Sequence, residues 1–159
     1  MFKHLLIVSF LYSISLFAFS QDTLQTPKQK KQNLHAEFAG TSFLYSVNYE
    51  RIFLQSNYFR AGATVGFGAY FYPVFNYNSV SVPVGVFSLL GKKLSFYQSF
   101  TYNSLVIELS EYTFKSGMNM GIDYTHKNSF FIRAYPSVYY DYDFKDILIF
   151  YGVRVGAWF

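Results

Sequence analysis

The sequence predicts an all-β chain: eight antiparallel strands in up-and-down order, closed into a transmembrane barrel. Three observations predict it. Apolar side chains recur at every second position in run after run from Leu34 onward, with no helical period. Side chains on a strand alternate faces, so a period of two marks strands. Charged residues make up only 14% of the 159 and aromatics reach 23%, where a charged share of about 25% is ordinary; tyrosine and its relatives suit a membrane interface, where the ring body is dry and one edge is wet. Finally, the polar faces of the runs are built of small residues with few charges, which fits a narrow filled interior better than a solvated exterior.

The length favours one domain. Lys3 and His4 precede the uncharged apolar run Leu5–Phe19, and Ala18 and Ser20 flank a cut that leaves Gln21 first. This is the pattern of a secretory signal peptide over residues 1–20; the run, at about 15 residues, is shorter than the ~20 that a spanning helix needs. Residues 21–33 are polar, with Pro27 and the lysines 28, 30 and 31, and are expected to form a flexible tail. The barrel is expected over 34–159.

Its strands are expected at Leu34–Ala39, Phe43–Phe53, Phe59–Tyr70, Val80–Leu90, Leu94–Ile107, Ser116–Thr125, Phe130–Tyr140 and Ile147–Phe159. The connections alternate in character. Leu54–Tyr58, Gly91–Lys93 and His126–Ser129 are tight and carry turn formers. Phe71–Ser79, Glu108–Lys115 and Asp141–Asp146 are longer; Gly40–Ser42 is a short connection where a long one is expected. Short turns at one end and longer loops at the other are the habit of membrane barrels. Aromatic residues are expected to mark both rims: Tyr70, Phe71, Tyr72, Tyr112, Tyr139 and Tyr140 at one, and Tyr49, Phe53, Tyr58, Phe59, Tyr124, Phe130 and Phe131 at the other.

A soluble barrel turns its apolar face inward and a membrane barrel turns it out, so the two faces must be compared. Ala61, Ala63, Val65, Phe67 and Ala69 form one uncharged face, as do Val80, Val82, Val84 and Val86, and Met118, Met120, Ile122 and Tyr124. The opposite faces carry Ser46, Asn48 and Glu50; Arg60, Gly62, Thr64, Gly66 and Gly68; Asn119, Gly121, Asp123 and Thr125; and Arg133, Tyr135 and Ser137. Glycine weakens an exposed strand and packs nothing there, but it makes room inside a small barrel. The polar faces are therefore expected inside. On them Glu37, Glu50 and Asp123 balance Arg60, Arg133 and Arg154, an expected salt-bridge network that plugs the lumen, since a buried unpaired charge costs several kcal/mol. Gln98 fits less well: with Leu94, Phe96, Phe100 and Tyr102 it falls on the outward face, at the interface or beside a bulge.

On the last strand, Tyr151, Val153, Val155, Ala157 and Phe159 form an apolar row ending on an aromatic residue. The row resembles the C-terminal sorting signal of bacterial outer-membrane barrels. Asn48-Tyr49-Glu50-Arg51, Pro83-Val84-Gly85, Leu89-Leu90-Gly91-Lys92-Lys93 and Phe131-Ile132-Arg133-Ala134 with Pro136 add local patterns over Leu34 to Phe159. Together they make the chain similar to the small eight-stranded outer-membrane β-barrels of Gram-negative bacteria, the OmpA-type and OmpX-type group. The resemblance implies a place in the cell outer membrane. It implies as partners the outer-membrane lipids and, during biogenesis, the barrel assembly machinery and periplasmic chaperones. It carries over no activity, and points to a structural, envelope or surface-interaction role without a through-channel.

Other functions find less support in the residues. No basic stripe exists for nucleic acid, because residues 34–159 carry nine Lys/Arg against eight Asp/Glu. Without cysteine there is no thiolate site, and no metal, cofactor or catalytic residues are expected. A lipid-modifying hydrolase would need a base, for which His35 beside Glu37 on one strand face is the candidate. The three carboxylates of Asp141–Asp146 could bind a divalent cation, although a solvated loop is the plainer reading. A soluble periplasmic lipocalin-like carrier of a hydrophobic ligand is the alternative fold-level reading, with the apolar faces turned inward.

Overall fold

The computed structural model describes residues 30–40, 45–72, 77–107, 111–127, 129–142 and 145–159. The expected signal peptide and residues 21–29 of the expected tail lie outside the described residues. Eight strands follow in order: β1 (Gln32–Phe38), β2 (Tyr45–Gln55), β3 (Phe59–Tyr72), β4 (Tyr77–Gly91), β5 (Leu94–Ile107), β6 (Glu111–His126), β7 (Phe130–Asp141) and β8 (Asp146–Trp158). Each pairs with the next, and β8 pairs antiparallel with β1 to close the barrel. Closure leaves no unpaired edge, the condition for a sheet to stand in hydrocarbon.

The stagger of the strands fixes the width. Paired residues lead from Leu34 round the wall through Tyr49, Val65, Val84, Tyr102, Ser116 and Tyr140 to Ile147. Leu34 itself pairs with Ala157, ten residues further along β8. Eight strands with that offset tilt by about 40° and stand about 8 Å from the axis. Inward side chains from opposite walls therefore meet.

Apolar residues face outward on every strand. Leu34, Val47, Val65, Phe67, Val82, Val84, Val86, Phe96, Phe100, Ile122, Ile132, Ile149, Val153 and Val155 are exposed. Glu37, Glu50, Asp123, Arg133 and Arg154 are buried inside. The β4–β5 register is unbroken through Ser88↔Gln98, so Gln98 lies on the outer face without a bulge in its own strand. The bulge lies in β2 instead, between Ile52 and Leu54, and leaves both Phe53 and Leu54 exposed.

The loop lengths depart from expectation. Phe71–Ser79 and Glu108–Lys115 are mostly strand, and β3, β4 and β6 run on until only 73–76 and 108–110 remain as connections. The connection expected to be short spans 39–44. Past the apolar belt a strand has no apolar face to alternate, so the period of two fades in the sequence while the ladder continues.

At the other end, Gly91 turns at a φ of 130°, a conformation glycine adopts without steric cost. Backbone hydrogen bonds then tie each turn to the next. Gly91 N donates to the Tyr58 carbonyl, Thr125 N to that of Lys93, Trp158 N to that of Ser129, and Phe159 N to that of Gln32. The ladder reaches the rim, and the turns are held in fixed positions around it.

Candidate functional site

Every inward position follows from strand parity, so the interior is a stack of layers set by register. The middle layer holds the charges. Glu50 on β2 takes Nη1 and Nη2 of Arg133 at 2.8 and 3.3 Å, Arg154 Nη1 at 3.3 Å and Asn33 Nδ2 at 2.7 Å. Arg133 Nε donates to Asp123 Oδ2 at 3.1 Å. The guanidinium thus grips a carboxylate on each side, with its flat face 3.9 Å above the Tyr97 ring. Such paired, directed bonds are the strong form of ion pair.

Glu37 is the second acceptor. Tyr135 Oη donates to its Oε1, and Ser46 and Asn48 donate to Oε2 at 3.2 and 3.1 Å. Arg154 Nε stands 3.2 Å from the same oxygen as an ion pair rather than a directed hydrogen bond. Arg154 also donates to Tyr97 Oη and lies over the Tyr135 ring. Two arginines therefore link β1, β2, β5, β6, β7 and β8 through three carboxylates and two tyrosines.

Arg60 stands apart. It is buried at the start of β3, donates to Ser95 Oγ at 3.1 Å and to the Lys92 carbonyl, and lies over the Trp158 ring at 5.6 Å. It makes no ion pair among the described residues. Glu50 pairs with Thr64, four residues further along β3. That is roughly 13 Å along the strand, beyond the reach of the side chain.

Below the charges, toward the turns, Ile52, Phe87, Leu89, Phe131 and Trp158 form a buried apolar layer. Above them, toward the loops, Asn119 donates to Ser99 and Thr101, and Tyr139 Oη donates to Asn119. Higher still, Lys115 and Asp141 pair at 3.0 Å. Glycines set the spacing: a Cβ on Gly117 would enter the Tyr139 ring, and one on Gly152 the Tyr135 ring.

Several of these residues were expected elsewhere. Phe131 and Tyr139 are not rim aromatics but fill the interior. Lys115 and Asp141 are buried partners on neighbouring strands rather than loop residues. Of the three loop carboxylates, Asp141 is buried in its pair with Lys115, Asp146 accepts from the Ile147 amide, and Asp143 lies outside the described residues; among the described residues no group of His, Asp and Glu is placed for a metal ion. His35 Nδ1 bonds Asn33 rather than Glu37. Tyr97 and Trp158 carry the signal that would have found them: each sits one residue off an outward-facing neighbour.

Tyr151, Val153, Val155 and Ala157 on β8, and Phe159 just after it, project outward in one exposed row. Their neighbour Arg154 points in.

No family model and no curated protein matches the sequence. Solved structures do. The N-terminal β-barrel domain of Pseudomonas aeruginosa OprF superimposes with a TM-score of 0.58 at 13% identity, over 85% of this chain and 100% of that one. The Yersinia pestis outer membrane protein Ail, in a phospholipid bilayer nanodisc, gives 0.50 at 10% identity over 82% and 100%. Strand number, order and closure agree, so this chain has the fold of the small eight-stranded outer-membrane β-barrels.

Proposed function

We propose that this chain is an integral outer-membrane barrel with a plugged lumen and no enzymatic activity, serving the envelope structurally or through its loop end. One observation carries the reading: the molecule is inverted relative to a soluble protein. Ile149 is 62% exposed and Val86 59%, while Arg133 is 0% and Arg154 1% exposed. In water both arrangements cost free energy; in a bilayer both are favourable.

Further elements belong to the same proposal. Residues 1–20 direct export across the inner membrane, and a tail from residue 21 precedes the barrel, whose first strand starts at Gln32 rather than at the expected Leu34, so that Gln32 and Asn33 belong to the wall and not to the tail. The outward row Tyr151, Val153, Val155, Ala157 and Phe159 is the strip read by the barrel assembly machinery after periplasmic chaperones deliver the chain. Glu37, Glu50, Asp123, Arg133 and Arg154 act as a structural plug, with Arg60 sealing the layer beneath. With both described ends on the turn side, that side faces the periplasm.

The interior argues against the competing functions. A lipocalin-like carrier needs an apolar lining, and the middle of this lumen is ionic. A hydrolase needs a nucleophile in reach of a base, and His35 Nε2 makes no hydrogen bond among the described residues.

Fractionation with heat-modifiability tests the reading. The expected result is a membrane-bound, detergent-extracted protein whose unboiled form migrates differently from the boiled one. Recovery in the soluble periplasmic fraction would instead establish the carrier.

A further inference from the structure

Exposed cations gather at one end of the barrel. At the turn end Lys30, Lys31, Arg51, Lys92, Lys93 and Lys127 are all exposed, joined by His126. No aspartate or glutamate side chain is exposed there among the described residues. At the opposite end Lys115 and Asp141 pair inside the barrel, and the exposed charges among the described residues are one of each sign, Lys145 and Asp146. The near-neutral total of residues 34–159 conceals this gathering of cations at the turn end.

The cations lie at the edge of the apolar belt, not across the end of the barrel. Arg51 occupies an outward position on β2, paired with Gln32 and Ala63. Lys92 Nζ lies 4.5 Å from the centre of the exposed Tyr58 ring, and Lys93 Nζ 5.4 Å from that of Tyr124. Lys30 is tied across to Ser129 at 3.2 Å. They are spread over the start of β1, the end of β2, the β4–β5 turn and the β6–β7 turn, and so encircle the rim. Ammonium groups held over exposed aromatic rings at the edge of an apolar belt stand where lipid headgroups begin.

We propose that this ring binds the headgroups of anionic phospholipids in the leaflet at the turn end, and so selects the lipids around the barrel. The inference rests on the membrane reading above. A basic residue at a membrane surface favours anionic lipid by roughly fivefold, so several acting together give a marked preference. Because each contact is electrostatic and solvent-facing, the preference falls with salt.

The test uses the full chain folded into phosphatidylcholine bilayers, with trace spin-labelled phosphatidylglycerol or phosphatidylcholine as probe. Folding is checked first by the heat-modifiable band; absence of the band would defeat the membrane reading itself. Given a folded barrel, the fraction of motionally restricted phosphatidylglycerol should exceed that of phosphatidylcholine severalfold and fall with added salt. The variant R51Q/K92Q/K93Q/K127Q should fold equally well and lose most of the preference. Lys145→Gln at the loop end should keep it. Equal restriction of the two probes by the native chain, or a preference that survives in the fourfold variant, overturns the proposal. So does binding of the ring to purified peptidoglycan without lipid selectivity, which would assign the cations to an anionic glycan.

Discussion

Arg133 is the residue on which most of the interior converges. Its side chain and that of Glu50 are 0% exposed, and Asp123 shares the same guanidinium. Removing it leaves two buried carboxylates short of their cation, and breaking a buried pair from one side costs about 3–5 kcal/mol. Arg133→Ala should therefore lower unfolding stability in urea by that amount, and Arg133→Lys by less, because an ammonium keeps the compensating charge while losing the planar fork that bonds both carboxylates. Arg51→Gln, at an exposed rim position, should stay within about 0.5 kcal/mol. If Arg133→Ala proves as mild as Arg51→Gln, the charges inside are better hydrated than their burial indicates. Gly152→Val tests the packing that goes with them. Its side chain would enter the space of the Tyr135 ring, and overpacking of that kind costs roughly 1–3 kcal/mol. Which face a residue takes was legible from parity: Glu50, Arg133 and Arg154 fall inside on counting alone. Partners were not, because pairing depends on height along the barrel. Arg60 shares the parity of Glu50 but not its level, and so meets Ser95 and Trp158. Phe131 and Tyr139 were misread for a related reason, since an aromatic at a strand end looks the same in sequence whether it faces lipid or lumen.

At the scale of the element, β8 places the two solvents of the molecule on adjacent residues. Val155 is exposed on the outer face and pairs with Ala36 and Ile132. Arg154, one residue back, ends between Glu37 and Glu50. Val155→Arg should cost about 2–4 kcal/mol in a bilayer if it lies near the midplane, and should cost little in a detergent that lets the guanidinium reach water. Arg154→Ala should destabilise in both, because the carboxylates it strands are inside the protein. The comparison is made by refolding each variant in lipid and in micelles; equal sensitivity of Val155→Arg to the two media would contradict the outward assignment. The strands themselves were legible wherever one face is apolar, as in Val80, Val82, Val84 and Val86. They were not legible where β3, β4 and β6 continue beyond the belt, because there neither face is uniformly apolar and the residues read as loop; β5 has the bounds expected of it, Leu94–Ile107.

For the whole molecule, the question is whether a closed cylinder with a polar interior conducts. At about 8 Å from axis to backbone, inward side chains of ordinary length meet at the centre. On the proposed reading the interior is sealed twice in series. The ionic layer spans six strands through Arg133 and Arg154, and beneath it Ile52, Leu89, Phe131 and Trp158 close the turn end with apolar groups. An ion crossing the first layer would have to replace bidentate contacts. At the second it would shed water with nothing to receive it. The two layers fail for different reasons, so opening one does not open the other. In planar bilayers the native chain should pass no steady current, and Arg133→Ala, although destabilised, should pass none either while it remains folded. A combined Arg133→Ala and Trp158→Ala variant removes the largest side chain from each layer, and is the first in this series expected to leak. A steady current through the native protein would mean that the layers open together, and the plug would then be a gate.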